Sequence, residues 1–458
     1  MIIISTLNIE NSKKYCNTSQ FITSFTGKHI MVYKVQNLET INDEFVFDGA
    51  NINALVQEFK TPLYVYSTAT INEKINNLKE AFSTITENHK LYYAVKANSN
   101  LSILKIIADA GLGFDIVSAG ELTRVKKAVG KTDNVVFAGV GKTEIEIKFA
   151  INSGIYSFNV ESVPELEQID KISQELDKSV NITLRINPNV DAHTHAYITT
   201  GTEKNKFGIS LQQVDSALYL LSNSKYLNFM GFHMHLGSQI ELGMPFRLGI
   251  DVLKTLIAKA SERNLETNEI NLGGGFSVGY TNNQDFDLQD FIKQVKALIP
   301  ENIKISAEPG RYIVAESGIL LTKVLYRKGR FAIVDAAMTD FIRPTLYEAY
   351  HPIANVTKNI FPKTDEFSQI KSSAIGNEST IDIVGPVCES GDFLGLKREL
   401  NADAGDILAV FYAGAYGFSM SSNYNSRPKP AEILVNKGKI KLINRRETYE
   451  DLFRNEIL

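Results

Sequence analysis

Cysteine is scarce in this sequence, and several features that would define other classes of protein are missing. The 458 residues contain two cysteines, Cys16 and Cys388, which cannot form a disulfide framework and fit a reducing compartment such as the cytoplasm. No apolar run approaches the roughly 20 residues that a membrane-spanning helix needs. The N-terminus also lacks the basic segment of a secretory signal. The 48 basic and 52 acidic residues leave a net charge of -4, which gives no support to a nucleic-acid or anionic-membrane surface.

The length and the local composition together predict two domains. Residues 1–30 are polar and weakly patterned, and we expect them to form a weakly structured extension. We expect residues 31–60 to pack with the second domain. Residues 61–310 are predicted to form the first domain, and residues 311–458 the second.

Short β-type runs alternate with amphipathic helical segments from about residue 90 to residue 310. The runs are Leu91–Ala97, Phe114–Ser118, Asn134–Gly139, Tyr156–Val160, Ile182–Asn187, Met230–Gly237, Glu269–Gly274 and Lys304–Gly310. Such alternation predicts parallel βαβ units, and eight units in about 220 residues match a (β/α)8 TIM barrel in size. A doubly wound open sheet is the alternative, although no G-x-G-x-x-G follows the first run.

The chain after residue 311 has a different pattern, with short β-type runs and few long helices. The runs are Gly318–Tyr326, Phe331–Asp335, Thr380–Val384, Asp406–Tyr412, Glu432–Val435 and Lys439–Ile443. This pattern predicts a C-terminal antiparallel β domain, either a sandwich or a barrel. The strand-like segment Leu63–Ser67 either joins this domain or caps the first one.

Residues capable of chemistry follow the ends of most of the eight predicted barrel strands. They are Lys96, Ser118, Asn159, Asn187, His235, Gly273–Gly275 and Glu308. Barrel enzymes build their active sites at that end of the barrel. Burial at a strand end would lower the pKa of Lys96 and favour a neutral amine that forms a Schiff base. The alternative is a structural lysine whose amine reaches solvent.

Two glycine-containing segments, Asn271–Phe276 and Glu308–Arg311, follow the seventh and eighth predicted strands. Glycines let backbone N–H groups approach a phosphate closely, and successive N–H groups can form an anion site. The loops after these two strands often hold a phosphate in barrels. The two segments together therefore predict a phosphate site.

Histidines occur in two closely spaced pairs. His233 and His235 lie two residues apart on a predicted strand and so share a face. A metal pair, an imidazole stacked on a cofactor ring, and a hydrogen-bonded core histidine all remain open for them. His193 and His195 lie in a polar loop with Asp191, where both could be solvated.

Several short motifs occur in a fixed order from about residue 55 to the C-terminus. They are Tyr93–Asn98 (YAVKAN), His235–Gln239 (HLGSQ), Gly273–Phe276 (GGGF), Glu308–Arg311 (EPGR), Phe341–Pro352 (FIRPTLYEAYHP), Cys388–Asp392 (CESGD), Gly414–Tyr416 (GAY) and Ser422–Pro428 (SNYNSRP). In these motifs the chain resembles the fold-type III decarboxylases that depend on pyridoxal 5′-phosphate (PLP). The motifs Phe341–Pro352 and Ser422–Pro428 make it most similar to the diaminopimelate decarboxylases.

The resemblance implies how the cofactor would be held. Lys96 would bind PLP through a Schiff base, and His235 would stack on its ring. Glu308 would pair with the pyridine nitrogen, which favours the protonated ring and so a better electron sink. The residues implied in phosphate binding are Ser238, Gly273, Gly274, Gly275, Glu308, Pro309, Gly310 and Arg311.

The resemblance also implies the reaction, which is decarboxylation of meso-2,6-diaminopimelate to L-lysine and CO2, the last step of lysine biosynthesis. Cys388 would donate a proton, and Glu389 would meet the distal amino group. In this family both come from the neighbouring subunit, so a homodimer with shared active sites is implied. Tyr416 would contact both cofactor and substrate. The residues implied in binding substrate carboxylate are Arg311, Arg343 and Tyr347.

Three other functions remain possible at this point. One is a related PLP decarboxylase that acts on ornithine, arginine or carboxynorspermidine, although Arg343 favours a carboxylate at the distal end of the substrate. Another is a metal-dependent TIM-barrel hydrolase that uses His233, His235 and a modified Lys96. The last is a non-catalytic PLP-binding carrier, which would need neither the β domain nor Cys388.

Overall fold

The computed structural model describes residues 21–23, 29–31, 35–42, 44–190, 205–281, 285–362 and 380–458. Its first strands are short, and they are β1 (Phe21–Thr23), β2 (His29–Met31), β3 (Leu38–Ile41), β4 (Glu44–Phe47) and β5 (Ala50–Asn51). The pair β1–β2 is antiparallel, and so is the small sheet β3–β4–β5. Three residues considered above, Cys16, His193 and His195, lie outside the described residues.

The segment around β4 packs on the C-terminal part of the chain. The Phe45 ring lies 4.9 Å from the Phe361 ring, and both Phe45 and Phe47 are buried. The Asp48 carboxylate accepts a hydrogen bond from the Lys437 backbone N–H at 2.9 Å. These contacts join the N-terminal segment to the second half of the protein.

A closed barrel of eight parallel strands forms the middle of the protein, after β6 (Leu63–Ser67). Its strands are β7 (His89–Ala94), β8 (Gly113–Ile116), β9 (Val135–Phe137), β10 (Ser157–Val160), β11 (Val180–Arg185), β12 (Leu227–His233), β13 (Glu269–Asn271) and β14 (Lys304–Ala307). Consecutive strands pair in parallel, and β14 pairs with β7 to close the barrel. The predicted (β/α)8 barrel is confirmed.

Helices accompany these strands, and most of them connect successive strands of the barrel. They are Ile52–Phe59, Thr68–Ile85, Leu101–Asp109, Ala119–Val129, Glu144–Ser153, Val163–Leu176, Val214–Asn223, Met244–Ser261, Leu288–Val295, Arg311–Val314, Arg343–Tyr347 and Tyr449–Phe453. Among these described helices, none is both long and apolar enough to cross a membrane.

Polar residues just after barrel strands often start the next helix. The Ser118 hydroxyl accepts from the Glu121 N–H, and the Ser162 hydroxyl accepts from the Glu165 N–H. Thr143 and Glu146 form a reciprocal capping box. Such caps satisfy N–H groups that the first helical turn leaves without partners. Ser118, which the sequence placed among the chemistry-capable strand ends, is therefore a helix cap.

Several predicted strands end earlier than expected because their last residues bond to loops. The first barrel strand ends at Ala94, and Lys96 lies in a 3-10 turn, Val95–Ala97. The Ala97 carbonyl accepts from the Tyr416 N–H at 2.8 Å instead of from a neighbouring barrel strand. The Gly273 N–H likewise donates to the Asn271 side chain at 2.9 Å.

The C-terminal strands form a nine-stranded sheet together with β6. They are β15 (Gly318–Lys328), β16 (Phe331–Val334), β17 (Ile353–Asn355), β18 (Ile381–Val384), β19 (Phe393–Arg398), β20 (Ile407–Val410), β21 (Ala431–Asn436) and β22 (Lys439–Asn444). Pairing is mostly antiparallel, as predicted, but β16–β18 and β6–β21 are parallel. The sequence did not predict β17 or β19.

The strand β6 lies inside this second sheet, between β15 and β21. Its five residues are all buried, and the Tyr66 hydroxyl donates to the Glu432 carboxylate at 2.7 Å. The sheet thus takes a strand from the range predicted for the barrel. The predicted domain boundaries, and the choice between a sandwich and a barrel, stay predictions.

The two parts of the fold meet closely at Gly414. A Cβ built on Gly414 would lie 1.8 Å from the Val314 carbonyl oxygen, and the Gly414 oxygen accepts from the Asn98 side chain at 3.1 Å. Only a residue without a side chain fits at this contact. It brings the loop that carries Tyr416 against the turn that carries Lys96.

We expect Gly414→Ala to destabilise the protein by roughly 1–3 kcal/mol, because the added methyl group overlaps a fixed backbone carbonyl. The melting temperature should fall by several degrees. Gly141→Ala is the matched control, because a Cβ there meets nothing within 4 Å. Equal melting temperatures for the two variants would contradict the close approach.

Candidate active site

A cavity at the C-terminal end of the barrel is lined by residues at the ends of four barrel strands and by one residue from the segment after β20. The residues that line it are Ala94, Lys96, His235, Ser238, Gly275, Phe276, Glu308, Gly310, Arg311 and Tyr416. Eight of these ten were candidate site residues from the sequence, the exceptions being Ala94 and Phe276. Four separate stretches of sequence therefore meet at one place, together with Tyr416 from the C-terminal half.

Lys96 faces a buried carboxylate across the cavity wall. Its Nζ lies 3.6 Å from Asp115 Oδ2, and the Asp115 side chain is only 1% exposed. Burial lowers the pKa of Lys96, but the negative charge of Asp115, with smaller effects of Tyr416 and Glu308, reverses this and raises it. The sequence predicted a lowered pKa, and that direction is wrong because Asp115 was not taken into account.

Asp115 is itself strongly perturbed. Burial and the negative charge of Glu308 raise the pKa of Asp115 well above its ordinary value, although Lys96 opposes this. Neither carboxylate oxygen has a hydrogen-bond partner among the described residues. An isolated buried charge is costly, so Asp115 depends on the nearby ammonium of Lys96.

Glu308 is held as a carboxylate by side chains from three other barrel strands. Asn159 and Asn271 donate to its Oε1 at 2.7 and 2.8 Å, and His233 Nε2 lies 2.9 Å from its Oε2. Burial would raise the pKa of Glu308, but the charge and hydrogen bond of His233, followed by Lys96, lower it to about 2. His233 is thus a buried, hydrogen-bonded histidine whose partner is a site residue.

His235 is held in a neutral form beside Lys96. Its Nδ1 accepts a hydrogen bond from the Gly274 N–H at 3.0 Å, which requires that nitrogen to carry a lone pair. Burial, then the positive charges of Arg185 and Lys96, lower the pKa of His235 well below its ordinary value. The ring therefore adds no positive charge to the cavity.

The glycine loop lies too close to its surroundings for side chains. A Cβ on Gly275 would lie 2.5 Å from the Gly237 oxygen, and one on Gly274 would lie 2.5 Å from the Glu308 oxygen. Gly273 and Gly275 have φ values of 68° and 108°, in the region that favours glycine. Gly273, Gly274 and Pro309 are not among the described residues that line the cavity, and the Pro309 carbonyl accepts from the Ala94 N–H at 3.1 Å.

Arg311 supplies a buried positive charge next to this loop. Its Nη2 donates to the Ser238 hydroxyl at 3.1 Å, and its Nη1 donates to the Tyr280 hydroxyl at 3.3 Å. Among the described residues, no carboxylate forms an ion pair with Arg311. A buried guanidinium beside a glycine loop is suited to a phosphate or a carboxylate.

Arg343 also contacts Tyr280. Its guanidinium carbon is 5.4 Å from the Tyr280 ring centre and 5.7 Å from the Tyr347 ring centre. Burial lowers the pKa of Arg343 to about 10. The described part of the chain offers Arg343 no carboxylate partner either. Two buried guanidiniums that contact the same tyrosine create a strongly anion-attracting region.

Cys388 and Glu389 lie apart from these groups in the loop between β18 and β19. Both are exposed, and neither is among the described residues that line the cavity. The Cys388 N–H donates to Asn425 Oδ1 at 3.0 Å, and Glu389 accepts from the Tyr424 hydroxyl at 3.0 Å. One chain alone therefore does not bring these two predicted residues to Lys96.

Sequence reasoning missed several groups that shape the site. Asp115 is a lone acidic residue inside an apolar strand, and Asn271 lies two residues before the first of the three glycines; both patterns could have pointed to them. Arg185 ends β11 and pairs with Glu161 at 2.6 Å, so it too could have been noticed as a charge in a buried strand. Asn187 instead holds a loop, since its side-chain amide donates to the Phe207 carbonyl at 3.3 Å.

The residues present suit PLP. The glycine loop and Arg311 fit a phosphate, Glu308 is a stable carboxylate for a ring nitrogen, and Lys96 offers an amine for an aldehyde. No group of three or more histidine, cysteine, aspartate or glutamate residues that could hold a metal ion occurs in the described ranges. The fold and the site together define a barrel enzyme of the PLP-dependent class.

Comparisons with known proteins agree with this class. A family model described as "Pyridoxal-dependent decarboxylase, pyridoxal binding domain" matches residues 68–315. The diaminopimelate decarboxylase of Neisseria meningitidis serogroup B is 41% identical over 408 residues, which are 88% of this chain and 94% of the relative. That of Aquifex aeolicus is 41% identical over 421 residues, 90% of this chain and 96% of the relative.

Two solved structures complete the comparison. Diaminopimelate decarboxylase from Helicobacter pylori, complexed with L-lysine, has 41% identity and a TM-score of 0.78, covering 89% of this chain and 99% of that one. The enzyme from M. jannaschii, also in complex with L-lysine, has 35% identity and a TM-score of 0.84, covering 93% and 98%. The chain belongs to the diaminopimelate decarboxylase family, so the resemblance, the PLP cofactor and the carboxy-lyase class are confirmed.

We expect Asp115→Asn to lower the pKa of Lys96, because the charge that raises it is removed while burial remains. The measurement is the pH dependence of Lys96 acylation in cofactor-free protein, followed by peptide mass spectrometry. The reaction midpoint should move to lower pH. Asp109→Asn is the control, because Asp109 is exposed and pairs with Lys105 on the surface. An unchanged midpoint in Asp115→Asn would contradict the assigned role of Asp115.

Proposed function

We propose that this protein decarboxylates meso-2,6-diaminopimelate to L-lysine and CO2, with the residue roles set out below. The observation that carries the proposal is the pair of buried guanidiniums, Arg311 and Arg343, which both contact Tyr280, while Arg311 also lines the Lys96 cavity. One can serve the phosphate of the cofactor, and the other a carboxylate that the substrate keeps. A diamine-forming decarboxylase acting on ornithine would not need the second.

The bound cofactor supplies an electron sink for the pair of electrons left when the bond from Cα to the carboxylate breaks. Glu308, which stays ionised, would hold the ring nitrogen in its protonated form. The neutral imidazole of His235 would contact the ring without weakening that effect. Lys96 would hold the cofactor, and its amine would exchange protons with Asp115, whose Oδ2 lies 3.6 Å away.

The substrate carries an amino group and a carboxylate at each end, so the site must hold one carboxylate while the other leaves. We assign the retained carboxylate to Arg343 and Tyr347, and the phosphate to Ser238, Gly273–Gly275, Gly310 and Arg311. The guanidinium of Arg311 lies 4.8 Å from the Tyr416 ring, and this contact supports our assignment of Tyr416 to binding both cofactor and substrate. The solved relatives that contain L-lysine support this choice of product.

We further propose a homodimer in which Cys388 and Glu389 enter the partner's site. Both residues are exposed in one chain and lie outside its cavity lining, yet the reaction needs a proton donor at Cα. Closed two-fold symmetry would give both sites the same pair of residues. The scarcity of cysteine supports a cytoplasmic location for such an enzyme.

Purified protein supplied with PLP should absorb visible light and release CO2 and L-lysine from meso-2,6-diaminopimelate. Lys96→Ala should lose the visible band and the borohydride-fixed adduct, because the amine that holds the cofactor is gone. Its activity should fall by at least ~10²-fold. Lys105→Ala, a change in an exposed ion pair, is the control. Faster turnover of L-ornithine or L-arginine than of diaminopimelate would contradict the proposed substrate.

Shared sites can be tested by mixing two inactive variants. Lys96→Ala and Cys388→Ala should each have low activity, although Cys388→Ala keeps its visible absorbance. After dissociation and reassociation, half of the dimers carry one chain of each kind, and each has one site with both native residues. Activity should then recover to about a quarter of the unmodified enzyme. No recovery, with mixed dimers demonstrated by mass spectrometry, would place Cys388 in the site of its own chain.

A further inference from the structure

We propose that His351 is a positioning residue that fixes the direction in which Arg343 presents its guanidinium to the substrate. The proposal rests on the function proposed above for Arg343. His351 follows the helix Arg343–Tyr347 and is fully buried. It is not one of the described residues that line the Lys96 cavity. Its Nε2 lies 3.2 Å from Arg343 Nε.

The hydrogen bonds of His351 define one protonation state. Its Nδ1 lies 2.9 Å from the Phe411 carbonyl oxygen, which can only accept, so Nδ1 carries the hydrogen. In a neutral imidazole the other nitrogen, Nε2, then has a lone pair and accepts from the Arg343 Nε–H. Burial, then the charge of Arg343, lower the pKa of His351 well below its ordinary value, in agreement with this state.

The imidazole is also fixed from its sides. The Phe341 ring meets it edge to face at 4.6 Å and 77°, and the Tyr280 ring at 4.9 Å and 71°. The His351 carbonyl oxygen accepts from Arg398 Nη2 at 3.1 Å, which holds the backbone. The acceptor for Arg343 thus has one position and one orientation.

This acceptor decides which edge of the guanidinium is free for substrate. Arginine can grip a carboxylate through its Nε–Nη2 edge or through its Nη1–Nη2 edge. His351 occupies Nε, so a bidentate carboxylate must take the Nη1–Nη2 edge. We infer that His351 selects this end-on geometry and thereby sets the distance from the retained carboxylate to the reacting Cα.

Two amide substitutions separate this role from simple packing. In His351→Asn the amide lies near the position of Nδ1, so it can donate to Phe411 but cannot reach Arg343. In His351→Gln the amide lies near the position of Nε2, so its oxygen can accept from Arg343. A structural role predicts that both variants lose similar amounts of activity and stability.

The positioning role predicts a difference between them in substrate binding. His351→Asn should raise KM for diaminopimelate and the inhibition constant of L-lysine by about 10- to 100-fold, the effect of one hydrogen bond to a charged group, while kcat changes much less. His351→Gln should recover most of that loss. Melting temperatures and the visible spectrum report whether fold and cofactor binding are kept. Should His351→Asn not fold, His351→Leu takes its place as the variant without an acceptor.

A double substitution completes the test. In an Arg343→Met background, His351→Asn should have no further effect on KM, because the group that it positions is missing. Equal KM values for the Asn and Gln variants, or additive effects in the double variant, would overturn the inference while leaving the proposed function standing. Absence of diaminopimelate turnover in the unmodified enzyme would instead overturn the proposed function.

Discussion

The carboxylate of Glu308 is the group on which the rest of the site depends. It is buried and ionised, which is tolerable only because Asn159, His233 and Asn271 direct hydrogen bonds at it from three other strands. Those strands come within reach of one another only in the closed barrel. Burial, together with the same charge, raises the pKa of Asp115, which in turn needs the ammonium of Lys96. The charges in the cavity therefore depend on closure of the barrel.

The C-terminal half of the chain adds residues to the site at the end of the barrel. The Tyr416 N–H bonds to the Ala97 carbonyl, and Gly414 permits the close approach that this bond requires. Tyr416 adopts a left-handed φ of 56°, which costs energy in a residue with a side chain and persists only because its surroundings hold it. Arg343 and His351 come from the same half of the chain. In the proposed site, the barrel thus contributes most of the groups for the cofactor, and the C-terminal half of the chain contributes Tyr416 and most of the groups for the substrate.

Most of the architecture could be predicted because it depends on local pattern. Short β-type runs alternating with amphipathic segments predicted eight barrel strands, and the motif residues then fell at the strand ends where barrels carry their sites. The predicted ends of these strands were less accurate, as at Lys96, because residues with the composition of a strand bond to loops from distant parts of the chain. The strand β19 was missed, although Arg398 in it bonds to His351.

The sequence by itself determined the fold class, the family and the identity of most groups around the cavity, since these follow from residue types in a fixed order. Only the tertiary structure decided their charges and directions. The pKa of Lys96 rises instead of falling because Asp115, from the next strand, lies 3.6 Å away. Arg343 points as it does because a histidine eight residues later accepts from its Nε. Electrostatic energy depends on separation and burial in space, and neither quantity can be calculated from order along the chain.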